Sequence, residues 1–342
     1  MKTIALIMAG GKGERFYPAS RNLLPKQFLS LGADNETMIQ KTVNRIRDLV
    51  SPQDIFVLTN KNYLSLVKEQ LKDVPTENIV LEPLSKNTAP AIELGVEIAK
   101  RKYDDAKVIV LPSDHIIKDE VEFRRILKVA TQFVENNESI LTIGIKPTEP
   151  NDGYGYIKIS DDQEISKVAE FKEKPTIEVA KQYVESGNYL WNAGMFIFTI
   201  KSIDNAFKKY MSNQHMLLTE SLDNFPKVES ISIDYGIMEK ADNVYCIKGD
   251  FAWDDVGSWN ALKRINGEDE NQNTILNDKT VLVNSTNVTI KGTNKKLITG
   301  VGLKDIVIVE TDDVILVANK NELSDIKKLT AKIKEKQLDE YL

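Results

Sequence analysis

The sequence predicts an α/β protein with a mostly parallel sheet flanked by helices, followed by a smaller β-rich module and a terminal helix. In the first half, short apolar runs alternate with amphipathic helical patterns, as βαβ units require. After residue 278, short β-rich runs begin at roughly even spacing. The chain has 342 residues, which predicts two domains at roughly 100–200 residues each.

Apolar runs of strand length define the sheet in the first half of the chain. They are residues 3–9, 55–58, 79–81, 108–111 and 140–143. Helical periodicity between them predicts helices near 38–49, 63–71, 89–100 and 123–134. Because crossovers between parallel strands are right-handed, the ligand crevice should lie at the carboxyl ends of the strands.

The pattern from about 150 to 265 is mixed, and the Pro-Asn-Asp-Gly stretch at 150–153 is a turn rather than a boundary. Strands are expected at 156–159, 167–171, 195–199 and 244–247, and helices near 177–185 and 203–209. The polar stretch 266–278 indicates a boundary, so we predict an α/β domain at 1–268 and a β-rich module at 269–342.

The β-rich runs of the module fit either a small β-solenoid or a plain antiparallel sheet. They are residues 281–283, 288–290, 297–301, 306–309 and 314–318. A helix rich in Lys and Glu follows at about 322–338, and we interpret its lysines as a solvated face.

Composition excludes several classes of protein. A net charge of -6 argues against general nucleic-acid binding, and no apolar run approaches the roughly 20 residues of a membrane span. The N-terminal run is too short for a signal peptide, so we expect a cytoplasmic protein with no membrane partner. The single cysteine, Cys246, excludes a disulfide framework, and with only 2 His a metal is expected on carboxylates, which favours Mg²⁺.

A glycine-rich loop follows the first strand, in a stretch where residues 1–30 carry five basic side chains and one acid. Three closely spaced glycines let backbone N–H groups surround an anion. The loop does not match the P-loop motif. It does not match the dinucleotide-binding motif G-x-G-x-x-G either, since Phe16 stands where the third glycine belongs. We predict a phosphate site, with a plain turn and a solvated Lys26 as the alternatives. Its candidate ligands are Gly10, Gly11, Lys12, Gly13, Arg15, Arg21 and Lys26.

The segment after the third strand is a candidate for nucleobase recognition. Glu82 follows this strand, and its carboxylate can accept from both N1–H and the 2-amino group of guanine. Adenine and the pyrimidines cannot match that pattern. Thr88 is expected to cap the following helix, with Pro90 in its first turn.

Acidic residues at two loops are the metal candidates. Asp114 follows the fourth strand, where the crevice is expected, and its alternative role is a helix N-cap. Asp254 and Asp255 are adjacent, and one of them is expected to complete an oxygen-ligand Mg²⁺ site.

Two further segments carry polar groups suited to a sugar phosphate. Lys174 could bind a phosphate and Glu173 a sugar hydroxyl, although alone they would be a surface charge cluster. Asn192 stands among apolar residues before a predicted strand, so a sugar hydroxyl or the backbone must satisfy it.

Taken in order, these segments resemble the sugar-phosphate nucleotidyltransferases and, within them, the bacterial mannose-1-phosphate guanylyltransferases. The similarity covers most of residues 1–265. It rests on AGGKGERFYPASR, LPKQF, EPLSKNTAPA, LPSDH, DGYGYIK, FKEKP, WNAGMFIF, SIDYGIMEK and WDDVGSW. The chain departs from the family at Phe16-Tyr17, usually Leu-Trp, and at Lys12, where a small residue is common. Neither departure removes a catalytic group.

The resemblance implies the transfer of GMP from GTP to mannose 1-phosphate, giving GDP-mannose and pyrophosphate. It implies Mg²⁺ on Asp114 and Asp255, because the acid preceding Val-Gly matches the family motif. The implied catalytic residues are Arg15, Lys26 and Lys174. The implied nucleotide ligands are Gly10, Gly11, Lys12, Gly13, Glu82, Ser85, Lys86, Asn87 and Asp114, and the implied sugar ligands are Gly153, Glu173, Asn192 and Asp234.

The resemblance also implies a Rossmann-like mixed sheet, a left-handed β-helix in the C-terminal module and a homodimer formed with its help. The chain is too short for the isomerase domain of the longer bifunctional forms. Three other interpretations stay open from the sequence: a guanylyltransferase for a related sugar such as manno-heptose 1-phosphate, a non-catalytic regulatory subunit that binds GDP-mannose, and a nucleotide-binding module without turnover.

Overall fold

The computed structural model describes residues 1–32 and 35–342. Its strands are β1 Thr3–Met8, β2 Ile55–Asn60, β3 Ile79–Glu82, β4 Lys107–Pro112, β5 Ile116–Ile117, β6 Ile140–Ile145, β7 Tyr156–Ile159, β8 Ile165–Lys172, β9 Tyr189–Thr199, β10 Val244–Gly249, β11 Trp253–Asp254, β12 Thr274–Leu276, β13 Thr280–Val283, β14 Thr289–Lys291, β15 Ile298–Val301, β16 Ile306–Glu310 and β17 Ile315–Asn319.

The α-helices are α1 Met38–Arg45, α2 Leu64–Gln70, α3 Thr88–Ala99, α4 Glu120–Asn136, α5 Ile177–Ser186, α6 Ile200–Tyr210, α7 Ser212–Glu220, α8 Ala261–Asn266 and α9 Ile326–Glu335. Short 3₁₀ turns include Glu14–Phe16 and Lys26–Phe28, and a π-helical turn spans Asp234–Met238. Within the described residues, no helix combines the length and apolar character needed to cross a bilayer.

The first of two compact units comprises Met1–Gly10, Thr42–Ser113 and Ile117–Trp253. Its sheet has the strand order β3-β2-β1-β4-β9-β6-β10-β8-β7. Strand β1 lies parallel to β2 and β4, and β10 lies parallel to β6. Strand β9 runs antiparallel between β4 and β6, so the predicted mixed sheet is confirmed.

Apolar packing on both faces of this sheet explains the continuous apolar strands. The middle of β1, Ile4 to Ile7, is fully buried, as expected for a parallel strand covered on both sides. Helix α3 packs close to the sheet at Gly95, where there is no side chain. A Cβ at this position would lie 2.9 Å from a methyl group of Leu58. The carboxyl ends of β1, β3 and β4 therefore deliver Gly10, Glu82 and Ser113 on rigid supports.

The second unit comprises Gly11–Lys41, Asp114–Ile116 and Asp254–Leu342. Strands β12, β14 and β16 form one parallel ladder, and β13 and β15 form another. Because successive short strands stack in parallel, the module is β-helix-like. The alternative prediction of a plain antiparallel sheet is therefore wrong, although β17 runs antiparallel to β16. The left-handed sense stays a prediction.

Asparagine at the corners of this module has a conformational reason. Asn284, Asn287, Asn294 and Asp305 all have φ between 52° and 60°. This left-handed region is unfavourable for most side chains and is reached by Asn and Asp more readily than by other non-glycine residues. The Asn-rich composition of the tail therefore reflects its turns.

Element boundaries differ from the sequence predictions where tertiary packing decides. Strand β9 begins at Tyr189, well before the predicted 195, and the predicted terminal helix divides into a 3₁₀ turn at Lys320–Asp325 and α9. Helix α7 and strand β12 carry weak periodicity and were not predicted.

Candidate active site

The glycine-rich loop closes tightly on Lys26 in the second unit. Gly13 has φ +62°, and a Cβ at this position would lie 2.4 Å from the Cβ of Lys26. The carbonyl of Gly13 accepts a hydrogen bond from Ser20 Oγ at 2.7 Å. Glycine is therefore required here by both backbone conformation and space.

Lys26 is buried, with only 4% of its surface exposed. Its ammonium donates to Asp114 Oδ2 at 2.9 Å and to the Asp255 carbonyl at 2.8 Å, and it lies 5.5 Å from the centre of the Phe16 ring. A buried ammonium requires such partners. The solvated alternative for Lys26 is wrong, and the structure joins three predicted site residues through this one side chain.

Asp114 is held ionised beside Lys26. Burial alone would raise the pKa of this carboxyl, but the charges of Lys26 and His115 and the hydrogen bond from Lys26 outweigh burial and lower it. The alternative role as a helix N-cap is wrong, because strand β5 follows Asp114 and Asp119 caps α4 by accepting from Glu122 N at 2.9 Å.

The two adjacent acids Asp254 and Asp255 have different surroundings. Asp254 Oδ1 accepts from Val256 N at 2.7 Å and from Arg264 Nη2 at 3.0 Å, so its carboxylate supports the turn. Asp255 lines the same cleft as Asp114. Val256 is fully buried at φ +51°, a conformation that is strained for a β-branched residue and is found mainly at functional sites.

These residues surround a cleft of about 440 Å³, which we name the phosphate cleft. Lys12 and Arg15 are exposed beside it, and Asp114 and Asp255 supply carboxylate oxygens. Hard oxygen donors of this kind fit Mg²⁺, and nucleotidyltransferases generally use a divalent metal. The lining residues are Lys12, Gly13, Glu14, Arg15, Phe16, Lys26, Asp114, His115, Asp255, Val256, Gly257 and Lys327.

Arg21 does not serve as the predicted phosphate donor. Its guanidinium donates to Asp313 Oδ1 at 2.7 Å, to Thr311 Oγ1 at 3.3 Å and to the Pro18 carbonyl at 2.6 Å. These partners tie the loop to a turn of the β-helix-like module within the second unit. Arg21 also does not line the cleft that Lys12, Arg15 and Lys26 line, so the structure does not bring it to the predicted phosphate site.

A buried carboxyl group ends strand β3 in the first unit. Glu82 is 8% exposed, and within the part of the chain that the structure describes its side chain has no hydrogen-bond partner. Burial raises its pKa to about 7. A Cβ at Gly10 would lie 2.7 Å from Glu82 Oε1, so this glycine leaves room for the carboxylate.

The loop after Glu82 is held by its own polar side chains. Lys86 Nζ donates to the carbonyls of Pro226 and Val228 at 2.9 and 2.8 Å, and Ser85 is exposed. Asn87, at φ +72°, caps α3 by accepting from Thr88 N at 2.8 Å. The predicted cap at Thr88 is therefore wrong by one residue.

Asn192 occupies the middle of β9 rather than the segment before a strand, because β9 begins at Tyr189. Its amide donates to Asp234 Oδ1 at 3.0 Å, and its Oδ1 accepts from Thr142 Oγ1 at 3.0 Å and from Gly194 N at 3.1 Å. The side chain is thereby fixed against Asp234, which begins the π-helical turn.

Two acids and a lysine lie beside Asn192. Burial, and then the charge of Glu173, raise the pKa of Asp234 to about 7, against the opposing effects of Lys174 and Asn192. Lys174 Nζ pairs with Glu173 Oε1 at 2.7 Å, and Lys174 itself has φ +45°. The structure therefore brings four predicted sugar-side residues together.

Gly155, which was not predicted as a site residue, lies against Glu173 and Asn192. A Cβ there would lie 2.6 Å from Glu173 Oε2 and 3.4 Å from the Cβ of Asn192. The predicted Gly153 lies in an exposed turn and donates to Asn151 Oδ1 at 2.8 Å. Both glycines stand in DGYGYIK. The motif therefore indicated a glycine near the sugar side without showing which of the two it is.

A second group of possible metal ligands lies elsewhere in the first unit. Ligand atoms of Glu97, Asp204 and His215 lie within 4.8 Å of one another. The Lys100 ammonium contacts Glu97 Oε1 at 2.6 Å and also Asp204. One ammonium therefore already offsets part of the charge of these two carboxylates.

The fold agrees with comparisons to known proteins. The model of the nucleotidyl transferase family matches residues 4–272, and that of the mannoseP isomerase/GMP-like beta-helix domain matches 278–333. The chain therefore belongs to the nucleotidyl transferase family and is an enzyme of that class.

Individual relatives place it more closely. It is 37% identical to mannose-1-phosphate guanylyltransferases of Salmonella montevideo and of Escherichia coli K12, over 98% and 97% of this chain and 75% and 74% of theirs. A solved structure from Thermus thermophilus, described as a mannose-1-phosphate geranyltransferase, superposes with a TM-score of 0.90 at 30% identity and covers 98% of this chain and 100% of that one. The resemblance found in the sequence motifs is confirmed.

Proposed function

We propose that the protein transfers GMP from GTP to mannose 1-phosphate, giving GDP-mannose and pyrophosphate. The observation that supports it most is nearly full-length similarity to proteins named mannose-1-phosphate guanylyltransferase. The phosphate cleft supplies what such a reaction needs, which is positive charge for a polyanion beside carboxylates suited to a metal.

The reaction needs electrostatic stabilisation more than proton transfer. The second pKa of the sugar phosphate is about 6, so it is largely dianionic at neutral pH and no general base is required. One of its oxygens attacks the α-phosphorus of GTP, and the bond from that phosphorus to the β-phosphate oxygen breaks. Arg15 and Lys26 stabilise the charge on the departing pyrophosphate, and the backbone of residues 10–13 with Lys12 holds the triphosphate.

We assign Mg²⁺ to Asp114 and Asp255. The ion supplies charge neutralisation at the phosphate oxygens when it is bound. Lys26, paired with Asp114, keeps that carboxylate ionised and therefore competent to hold a cation.

The remaining residues set substrate recognition in this proposal. Lys174 binds the phosphate of the sugar substrate, and the sugar hydroxyls are bound by Gly153, Glu173, Asn192 and Asp234. Guanine is bound by Glu82, with Ser85, Lys86 and Asn87 beside it. Glu82 supports the preference for guanine, since a buried carboxylate without a partner favours a ligand with two adjacent donors.

We propose a homodimer formed by the module at 269–342, with the catalytic domain at 1–268. Val281 and Val283 of β13 and Val301 of β15 are each about half exposed or more, and Val283 pairs directly with Val301. Neighbouring exposed valines form an apolar face of the kind that a second copy covers. Because its substrates are nucleotide and sugar phosphates, we place the enzyme in the cytoplasm.

The proposal is tested by measuring Mg²⁺-dependent pyrophosphate release with four nucleoside triphosphates against mannose, glucose and manno-heptose 1-phosphates. GTP with mannose 1-phosphate should have the highest kcat/KM. Turnover with no sugar phosphate would refute the proposal, and preference for manno-heptose 1-phosphate would reassign the sugar. A preference for another triphosphate would refute the role of Glu82.

A further inference from the structure

The terminal helix α9 is anchored beside the glycine-rich loop within the second unit. Ile326, its first residue, is buried in the same apolar cluster as Phe16 and Val256, and the helix packs against the 3₁₀ turn Glu14–Phe16. The next side chain along the helix, Lys327, lines the phosphate cleft. The helix therefore presents a cation to this cleft, although its lysines were interpreted from the sequence as a solvated face.

Lys327 differs from its neighbour Lys328 in how its charge is used. Lys328 Nζ pairs with Asp325 Oδ1 at 2.8 Å. Within residues 1–32 and 35–342, the ammonium of Lys327 has neither an ion pair nor a hydrogen bond. Its charge is thus available to a ligand of the cleft.

The charge balance of the cleft gives Lys327 its importance. Lys12, Arg15 and Lys26 are opposed by three acids, Glu14, Asp114 and Asp255, so with His115 neutral and without Lys327 the side chains of the lining carry no net charge. Such a lining leaves the net attraction for a pyrophosphate group to the metal proposed on Asp114 and Asp255, and Lys327 adds to that attraction. The fourth cation makes the lining positive, and only this one comes from the C-terminal helix.

We propose that Lys327 binds the pyrophosphate portion of the nucleotide and is a further substrate-binding residue of the enzyme. This inference rests on the proposed function, in that it requires a nucleoside triphosphate as substrate. It does not depend on which base or which sugar phosphate the enzyme uses. Its ammonium donates to a phosphate oxygen and adds a charge-assisted hydrogen bond to those of the loop. The C-terminal helix thereby takes part in catalysis through substrate binding.

The test measures pyrophosphate binding by titration calorimetry with the full chain and three variants. Lys327→Ala should weaken binding roughly tenfold, which corresponds to about 1.4 kcal/mol. Lys327→Arg should retain most of the affinity, because the guanidinium also donates to phosphate. Lys328→Ala removes the same charge one residue along the helix and should bind as the unchanged protein does.

Kinetics separate substrate binding from a structural role. In Lys327→Ala, KM for GTP should rise roughly tenfold while KM for the sugar phosphate stays within about twofold, as expected when one ligand loses a contact. Equal pyrophosphate affinity in Lys327→Ala and Lys328→Ala would overturn the inference, as would a chain that binds no pyrophosphate. A chain that binds pyrophosphate through Lys327 but does not use GTP and mannose 1-phosphate would refute only the proposed reaction.

Discussion

At the scale of single residues, bonding partners separate candidate site side chains from supporting ones in a way that the sequence could not. Lys26 and Arg21 are both basic and lie in the same loop region, yet Lys26 binds Asp114 in the cleft while Arg21 binds Asp313 in a turn. Asp254 and Asp255 are adjacent, yet the Asp254 carboxylate supports the turn through Val256 N and Arg264 while Asp255 lines the phosphate cleft. The sequence indicated which residues were candidates for the site, but it could not show which distant residues they contact.

Glu82 should make guanine binding dependent on pH. Only its ionised form can accept from both guanine donors, and its pKa is raised to about 7. GDP affinity should therefore increase about tenfold between pH 6 and pH 8, as expected for one ionisation near pH 7. Titration calorimetry on the unchanged chain and on Glu82→Gln measures this, and the variant should keep only the smaller slope from phosphate ionisation. Identical slopes would remove Glu82 from base recognition.

The same group should affect stability in the opposite direction. An unfolded chain releases this proton near pH 4.5, whereas the folded protein holds it until about pH 7. Because the folded state binds more protons between these values, Glu82 lowers the free energy of unfolding as the pH rises through that window. Glu82→Gln should reduce this decline in denaturant titrations.

Gly155 and Gly153 form a matched pair for testing the sugar side. Gly155→Ala places a methyl group 2.6 Å from Glu173 Oε2. The new Cβ of Gly153→Ala meets only Asn151 Oδ1 at 3.0 Å, and alanine retains the backbone groups through which Gly153 is proposed to bind the sugar. Gly155→Ala should raise KM for mannose 1-phosphate by roughly tenfold or more, because displacement of Glu173 removes a positioned polar contact. KM for GTP should be unchanged. If both substitutions had the same small effect, Glu173 would not need its present position.

At the scale of elements, periodicity and strand length predicted the regular parts of the fold well. The strands β1, β4 and β7 and the helix α3 lie within one or two residues of the predicted ranges, because apolar runs mark the strands and helical periodicity marks α3. The start of β9 was missed, since Asn192 and Gly194 interrupt its apolar pattern. The hydrogen bond from Asn192 to Asp234 accounts for a polar residue at position 192. The interruption therefore marked a residue of the proposed sugar site.

The turn from Asp254 to Gly257 should separate stability from metal-dependent activity. Asp255→Asn removes a proposed metal ligand and should lower Mg²⁺-dependent pyrophosphate release by about a hundredfold or more. Asp254→Asn weakens the bonds to Val256 N and Arg264 and should lower Tm measured by calorimetry. Reversed outcomes for these two variants would assign the metal to Asp254 instead.

At the scale of the whole molecule, the division of the chain was predictable in part. The β-rich spacing after residue 278 indicated a repetitive module, and the parallel ladders decided between the two architectures that the spacing allowed. The sequence could not show that Gly11–Lys41 belongs to the same compact unit as the module. That association depends on packing of Phe16 with Trp259, whose ring centres lie 4.9 Å apart although the residues are far apart in sequence.

The exposed valines of the module should control the oligomeric state. Val283→Lys combined with Val301→Lys places two charges on paired positions of the proposed dimer face and should convert the dimer into a monomer, since burying unpaired charge is unfavourable. Light scattering coupled to size-exclusion chromatography measures the mass against the 38.6 kDa of one chain. Val121→Lys is the control, because Val121 is 72% exposed on α4 of the first unit and should leave the mass unchanged. A dimer that persists in the double variant would place the interface elsewhere, and a monomeric unchanged protein would refute the dimer itself.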